Sequence, residues 1–284
     1  MDVAIRAFLE STAWRMEVPK MFGALHLVLL AVAIGFAVLG AVWAKRLDDA
    51  GRIKLLAACG WVLAVMEVYK QLFLFYIVNN GVYDWWYFPF QLCSVPMYMC
   101  ILLPFPAKTA GSDMTADDTG IKLKLYSACL TFMVGLTFVS AAAALIYPQD
   151  FLRSYVTLTL HGFIWHGLLL FISLTISISG MAELSWHGIG RSVLLFLVFC
   201  LLAVGINAFA EPRMAAAYSA GLLRNQYAAM FYLNPYHISP QLLVGTIQKS
   251  AGIPLGLALY IAVIIAVSTA TDLVFRKIIT QRNM

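Results

Sequence analysis

Charge is what this sequence has least of: 12% of its 284 residues are Asp, Glu, Lys or Arg, and 62% are hydrophobic. Soluble domains carry roughly 25% charged residues, and a mean hydropathy of +0.84 excludes a soluble enzyme of ordinary composition. Cysteine pairs are missing too. The five cysteines, Cys59, Cys93, Cys100, Cys129 and Cys200, all sit in apolar stretches and none has CxxC spacing. That excludes a disulfide framework and a zinc-ribbon site. No apolar core precedes residue 20, because Asp2, Arg6, Glu10, Arg15 and Glu17 interrupt it, so the start does not read as a signal peptide.

What is present is a succession of apolar runs of about 20 residues, the length of a helix across a ~30 Å hydrocarbon core. Seven spans are expected: Met21–Trp43, Ile53–Val78, Tyr87–Pro104, Leu123–Tyr147, Ser154–Ser179, Ser192–Ala210 and Ile253–Phe275. Only helices or closed barrels satisfy the backbone in lipid, and runs this long are not barrel strands. The fold class is therefore all-α: a polytopic membrane helix bundle, one transmembrane domain over 21–284. No repeat between its halves is visible. Ile5, Phe8, Leu9 and Met16 fall near one face of residues 1–20, which suggests a helix lying on the membrane surface.

Lysine and arginine set the expected orientation. Lys45, Arg46, Arg52 and Lys54 follow span one, Lys108, Lys122 and Lys124 follow span three, and Arg276, Lys277 and Arg282 close the chain. The opposite side has no basic residue between spans two and three and only Arg153 between four and five. The N-terminus is thus expected outside and the C-terminus in the cytoplasm, across a plasma membrane, although Arg6, Arg15 and Lys20 run against this. Basic loops facing anionic lipid account for the net charge of +5, and no nucleic-acid partner is implied. The partners are membrane lipids.

One cysteine differs from the rest. In WWYFPFQLCSVPMYMC, Cys93 stands between Pro89 and Pro96. Proline is tolerated in a helix's first turn, so a helix opening at Pro89 would put Cys93 one turn inside, near the positive end of the dipole. Pro96 would then lack the N–H that reaches the Leu92 carbonyl and would kink the helix beside the thiol. Packing is the competing role for this residue. A reactive thiol wants a base, and His161 and His166 in span five are the candidates. Five residues separate them, about 140° of helix, so both do not face the same way. From the span starts Cys93 lies about 9 Å deep, His161 about 11 Å and His166 about 18 Å. Depth favours His161.

Glu67 and Lys70 sit mid-span at i and i+3, with Gln71 at i+4 from Glu67. Charges at that depth are expensive and usually face the interior. They read either as a self-neutralising pair or as a device orienting a histidine or a headgroup. Asn207 in span six needs a partner across helices. The stretch 231–243, FYLNPYHISPQLL, is long and proline-broken, as for a lid or re-entrant segment. His187 is expected in a solvated or interfacial loop, and 83–87, YDWWY, as an aromatic belt.

FPFQLCSVPMY, followed about seventy residues later by FIWHG, resembles the YwaF-type bacterial integral membrane proteins, a family similar to animal transmembrane protein 164. The resemblance implies a lipid acyltransferase, since the animal member moves a fatty acyl group onto an ether lysophospholipid through a cysteine. Carried over, Cys93 is that nucleophile, and the family's histidine falls on His166, whose His-Gly pair follows the Phe-Ile context. Glu67, Lys70, Gln91 and Asn207 are the substrate-binding or orienting candidates, with Asn207 as a donor to the oxyanion. No metal or organic cofactor is needed for this chemistry. A small-solute or ion-coupled transporter, or a lipid-binding protein without turnover, is the alternative, resting on Glu67, Lys70 and the expected kink.

Overall fold

The computed structural model describes residues 2–103 and 116–282. Among them the chain is helical, with one isolated β-bridge between Arg15 and Tyr155. In chain order the helices are α1 (Asp2–Ser11), α2 (Ala24–Ala44), α3 (Asp49–Phe73, running on through a π-turn at Leu74–Val78), α4 (Val95–Leu102) and α5 (Ala116–Ile146). They continue as α6 (Val156–Ile178), α7 (Trp186–Ser219), α8 (Leu242–Ala251) and α9 (Ile253–Arg282). Where the sequence is apolar on every side, an intrahelical ladder is the one arrangement that satisfies the backbone in lipid. Side-chain caps fix some starts: the Asp48 carboxylate accepts from Gly51 N–H (2.8 Å) before α3, and the Ser185 hydroxyl accepts from Gly188 N–H (3.1 Å) before α7. Because α7 starts at Trp186, His187 lies exposed in its first turn and not in a loop as expected.

Six of these helices are long and apolar enough to cross a membrane: Ala24–Ala44, Asp49–Val78, Gly120–Ile146, Val156–Ile178, Trp186–Ser219 and Ile253–Gln281. The exception is the expected third span. Of the described residues 87–103 only the eight of α4 are helical beyond one short turn, about 12 Å of rise. The chain nevertheless changes faces there. Phe73, at the end of α3, packs on Tyr155 beside the start of α6 (ring centroids 5.2 Å apart), whereas Ser127, near the start of α5, donates to Glu183 beyond the end of α6 (3.0 Å). The expected third span is thus a half-length helix with a turn-rich approach, beside six helices long enough to cross. Lys108 lies outside the described residues.

α6 is the central helix: 72% of its most apolar window is buried, against 11–56% for the other long helices. It packs on α2, α3 and α5, and its many inward faces are why its sequence lacks a one-sided pattern. Close approaches use glycine, as membrane packing favours. A Cβ on Gly60 of α3 would stand 2.8 Å from that of Cys100 on α4. The amphipathic α1 docks on the bundle as well as facing outward: Leu9 is buried with Phe73, Leu74 and Leu158, and Met16 N–H donates to the Ser154 carbonyl (2.8 Å). α1, the ends of α3 and α5, and the start of α6 thus share one face of the bundle.

Candidate functional site

The approach to α4 begins with a capped turn. The Asp84 carboxylate accepts from Trp86 N–H (3.0 Å) and from the Asn225 amide (2.8 Å). Burial pushes its pKa up, and these two hydrogen bonds pull it part of the way back. Tyr98, on α4, donates its hydroxyl to the Pro89 carbonyl (2.7 Å) and holds the approach against the helix.

Both expectations about the prolines are corrected. Pro89 does not open a helix. Pro96 is the second helical residue, where a missing N–H leaves nothing unpaired, so it starts α4 and does not kink it. Cys93 accordingly stands two residues before the helix and not one turn inside it. Its own carbonyl is held from across the bundle by the Trp165 indole N–H (3.1 Å).

Cys93, His161 and His166 line a single cavity of about 460 Å³, together with Lys70, Gln91, Trp165, Asp150, Arg153 and Tyr232. That volume is in the usual range for small-molecule sites. Most of the remaining wall is apolar, including Leu74, Val139, Ala143, Leu158, Val263 and Ile264. The other cysteines are elsewhere: Cys59, Cys100 and Cys200 are buried in packing, and half-buried Cys129 is not on the lining. Cys100 donates to the Met133 sulfur (3.6 Å).

The two histidines are fixed differently. A carbonyl can only accept, so His161 must carry its proton on Nε2, which reaches the Met66 carbonyl (3.1 Å). His166 must carry its proton on Nδ1, which reaches the Gly162 carbonyl one turn back (2.8 Å). His166 is thereby left with Nε2, the outer nitrogen, as an acceptor, whereas His161 is left with Nδ1, next to its own stem. Rings pin both: Phe151 stacks on His166 (4.9 Å, 17°) and Trp165 on His161 (5.5 Å, 19°). Gly162 makes the first stack possible, since a Cβ there would be 2.3 Å from the Phe151 ring.

Lys70 pairs with Glu67 at 2.8 Å, and Gln71 donates to the same carboxylate at 2.7 Å. The Lys70 ammonium also lies near the Trp165 ring (5.8 Å from its centroid) and bears electrostatically on Cys93, His161 and His166 alike. Glu67 is buried behind it and does not reach the lining.

Gln91 and Asn207 do something the sequence did not indicate. The Gln91 amide donates to the Ala229 carbonyl (3.2 Å) and accepts from Phe231 N–H (3.0 Å). Asn207, which is off the lining, donates to the Met230 carbonyl (3.1 Å) and accepts from Met230 N–H (2.7 Å). Two side-chain amides thus satisfy four backbone groups of a three-residue segment. The backbone is strained at its end: Phe231 and Tyr232 have φ of 54° and 58°, a left-handed conformation that costs about 1–2 kcal/mol per non-glycine residue. Both side chains line the cavity, as do Pro240 and Gln241, so both ends of the proline-broken stretch reach it.

Asp150, Arg153 and Tyr232 are lining residues that sequence reasoning passed over. Tyr232 donates its hydroxyl to Asp150, and burial, then the adjacent carboxylate, push its pKa well above the ordinary phenol range. The one signal available was that Arg153 is the lone basic residue between spans four and five. No group of three or more His, Cys, Asp or Glu suited to a metal ion occurs among the described residues.

A family model described as the TMEM164 family matches residues 21–267. No curated protein and no solved structure matches the chain.

Proposed function

This chain belongs to the TMEM164 family, and from that premise we propose that it is a membrane lipid acyltransferase in which Cys93 carries the acyl group and His166 moves the protons. The observation that carries the reading is the shared cavity: a lining cysteine, two histidines each fixed by a carbonyl at one nitrogen and a cation, enclosed by apolar wall suited to acyl chains.

In the first half-reaction the Cys93 proton passes to Nε2 of His166, and the thiolate attacks an ester carbonyl of a donor phospholipid. The tetrahedral adduct collapses with cleavage of the C–O bond. The leaving lysolipid alkoxide takes the proton back from the imidazolium. In the second, an acceptor lysolipid hydroxyl gives its proton to His166 and attacks the thioester. The C–S bond breaks, and the Cys93 thiolate recovers the proton. Lys70 places positive charge where each oxyanion develops, with Glu67 and Gln71 fixing its ammonium. His161, whose Nε2 is committed to the Met66 carbonyl, acts through Trp165 to keep the Cys93 backbone in place.

Lysine and arginine counts put the face bearing this site away from the cytoplasm of a plasma membrane, with the N-terminus outside. An alkyne-tagged acyl probe should label the purified protein at Cys93, with labelling lost in Cys93→Ser and slowed at least a hundredfold in His166→Asn. Equal labelling of Cys93→Ser would refute the assignment. A carrier without turnover would instead lose function on replacement of Glu67 and keep it in Cys93→Ser.

A further inference from the structure

Three charged side chains line the cavity, and two are already engaged. Lys70 is held by Glu67 at 2.8 Å. Asp150 accepts from the Tyr232 hydroxyl. Arg153 is different: its Nε donates to the Asp150 main-chain carbonyl (2.9 Å) and its guanidinium lies over the Tyr87 ring, 5.4 Å from the centroid. Among the described residues no carboxylate comes within ion-pair distance of it. Asp84, which feels its charge, is turned to Trp86 and Asn225. An arginine held by Nε beside an aromatic ring leaves its terminal N–H groups free to form the fork that takes two oxygens of a phosphate.

Its height in the bundle matters as much as its charge. Arg153 precedes α6 by three residues, at the end where the bundle meets the headgroup region. From the start of that helix His161 lies about 8 Å and His166 about 15 Å deeper. A glycerophospholipid is ordered the same way, with phosphate outermost, esters one glycerol unit below and chains beneath. The cavity offers a partner to each part: Arg153 just before α6, Cys93 and the histidines, and an apolar wall that includes Val139, Ala143, Val263 and Ile264.

We propose that Arg153 binds the phosphate of a glycerophospholipid and so sets the depth at which its ester meets Cys93. What happens to that ester rests on the acyl-transfer reading; the binding of the phosphate does not. Arg153 is a specificity residue: it separates phosphate-bearing lipids from uncharged glycerolipids of the same chain.

The test uses full-length protein in maltoside micelles, with Trp86 and Trp165 of the cavity wall as the fluorescence reporter. Oleoyl lysophosphatidylcholine, monooleoylglycerol and glycerol phosphate are titrated against wild type, Arg153→Gln and Arg153→Lys. The wild type should bind the lysophospholipid about tenfold more tightly than the monoacylglycerol, the factor of one charge-assisted hydrogen bond. Arg153→Gln should abolish that preference and Arg153→Lys retain part of it. Equal affinity of wild type for the two lipids, or an undiminished preference in Arg153→Gln, overturns the proposal. Glycerol phosphate competing as well as the lysophospholipid also overturns it, since the site would then take a soluble phosphate. Should Arg153→Gln not fold, the wild-type ratio and Arg153→Lys still decide. Acylation of wild-type Cys93 by a phosphate-free oleoyl thioester tests the acyl-transfer reading alone. Its failure beside an intact lipid preference leaves the Arg153 assignment standing.

Discussion

Replacing Asn207 by alanine removes the side chain that serves both backbone groups of Met230. Asn207 and Met230 are each fully buried, and Asn207 makes its two hydrogen bonds, 2.7 and 3.1 Å, to that one residue. Truncation leaves an N–H and a C=O without partners away from water, at about 1–3 kcal/mol per orphaned group. The next two residues are held left-handed, and letting Phe231 and Tyr232 relax returns some of their strain. The net loss is about 2–4 kcal/mol on these magnitudes, together with faster hydrogen exchange at the Met230 and Phe231 amides. Reversible SDS titration of the purified protein reads the first effect and exchange mass spectrometry the second. Turnover should fall in step with the loss of the 229–232 conformation. If Asn207→Ala keeps its stability within about 0.5 kcal/mol and its exchange pattern while turnover collapses, the clamp account is wrong and Asn207 acts as a donor at the reaction centre.

Two further outcomes bear on the site's supports. Gly162→Ala would drive a methyl into the Phe151 ring, 2.3 Å away, costing about 1–3 kcal/mol as overpacking and displacing that ring from His166. Acyl labelling should slow more in Gly162→Ala than in a Gly120→Ala control, where nothing lies within 4 Å. Breaking the Glu67–Lys70 pair from either side should cost about 3 kcal/mol, because the remaining charge is stranded. Glu67→Gln with Lys70→Met should recover most of that stability in the same titration. Recovery of full acyl transfer in the double variant would show that Lys70 has no part in the chemistry.

The membrane class and the positions of the long helices were legible in composition alone, because lipid offers the backbone no alternative to a helix and the run lengths are fixed by the hydrocarbon thickness. The i, i+3 pairing of Glu67 with Lys70 was equally legible, since helix geometry makes those positions neighbours. The third span misled for a related reason. Tyr87–Pro104 is apolar and long enough, but hydropathy measures solvent preference and not conformation, and nothing in it shows that 88–94 is packed against other helices and spared the need for its own ladder. Pro96 would kink a helix that opened at Pro89, but α4 opens at Val95 and Pro96 falls in its first turn.

By itself the sequence determined a polytopic helical protein with one cysteine flanked by prolines and two histidines on a later span, all properties of local pattern. Only the tertiary structure decided that Cys93, His161 and His166 line one cavity, because that depends on which face of α6 meets the approach to α4. It also decided which histidine nitrogen carries the proton, since the carbonyls of Met66 and Gly162 fix the tautomers from one neighbouring helix and from one turn back. Finally, it gave Gln91 and Asn207 their backbone partners at 229–231 and brought Arg153 to the cavity wall. A polar side chain in lipid must find a partner, and its sequence states the need without naming the partner.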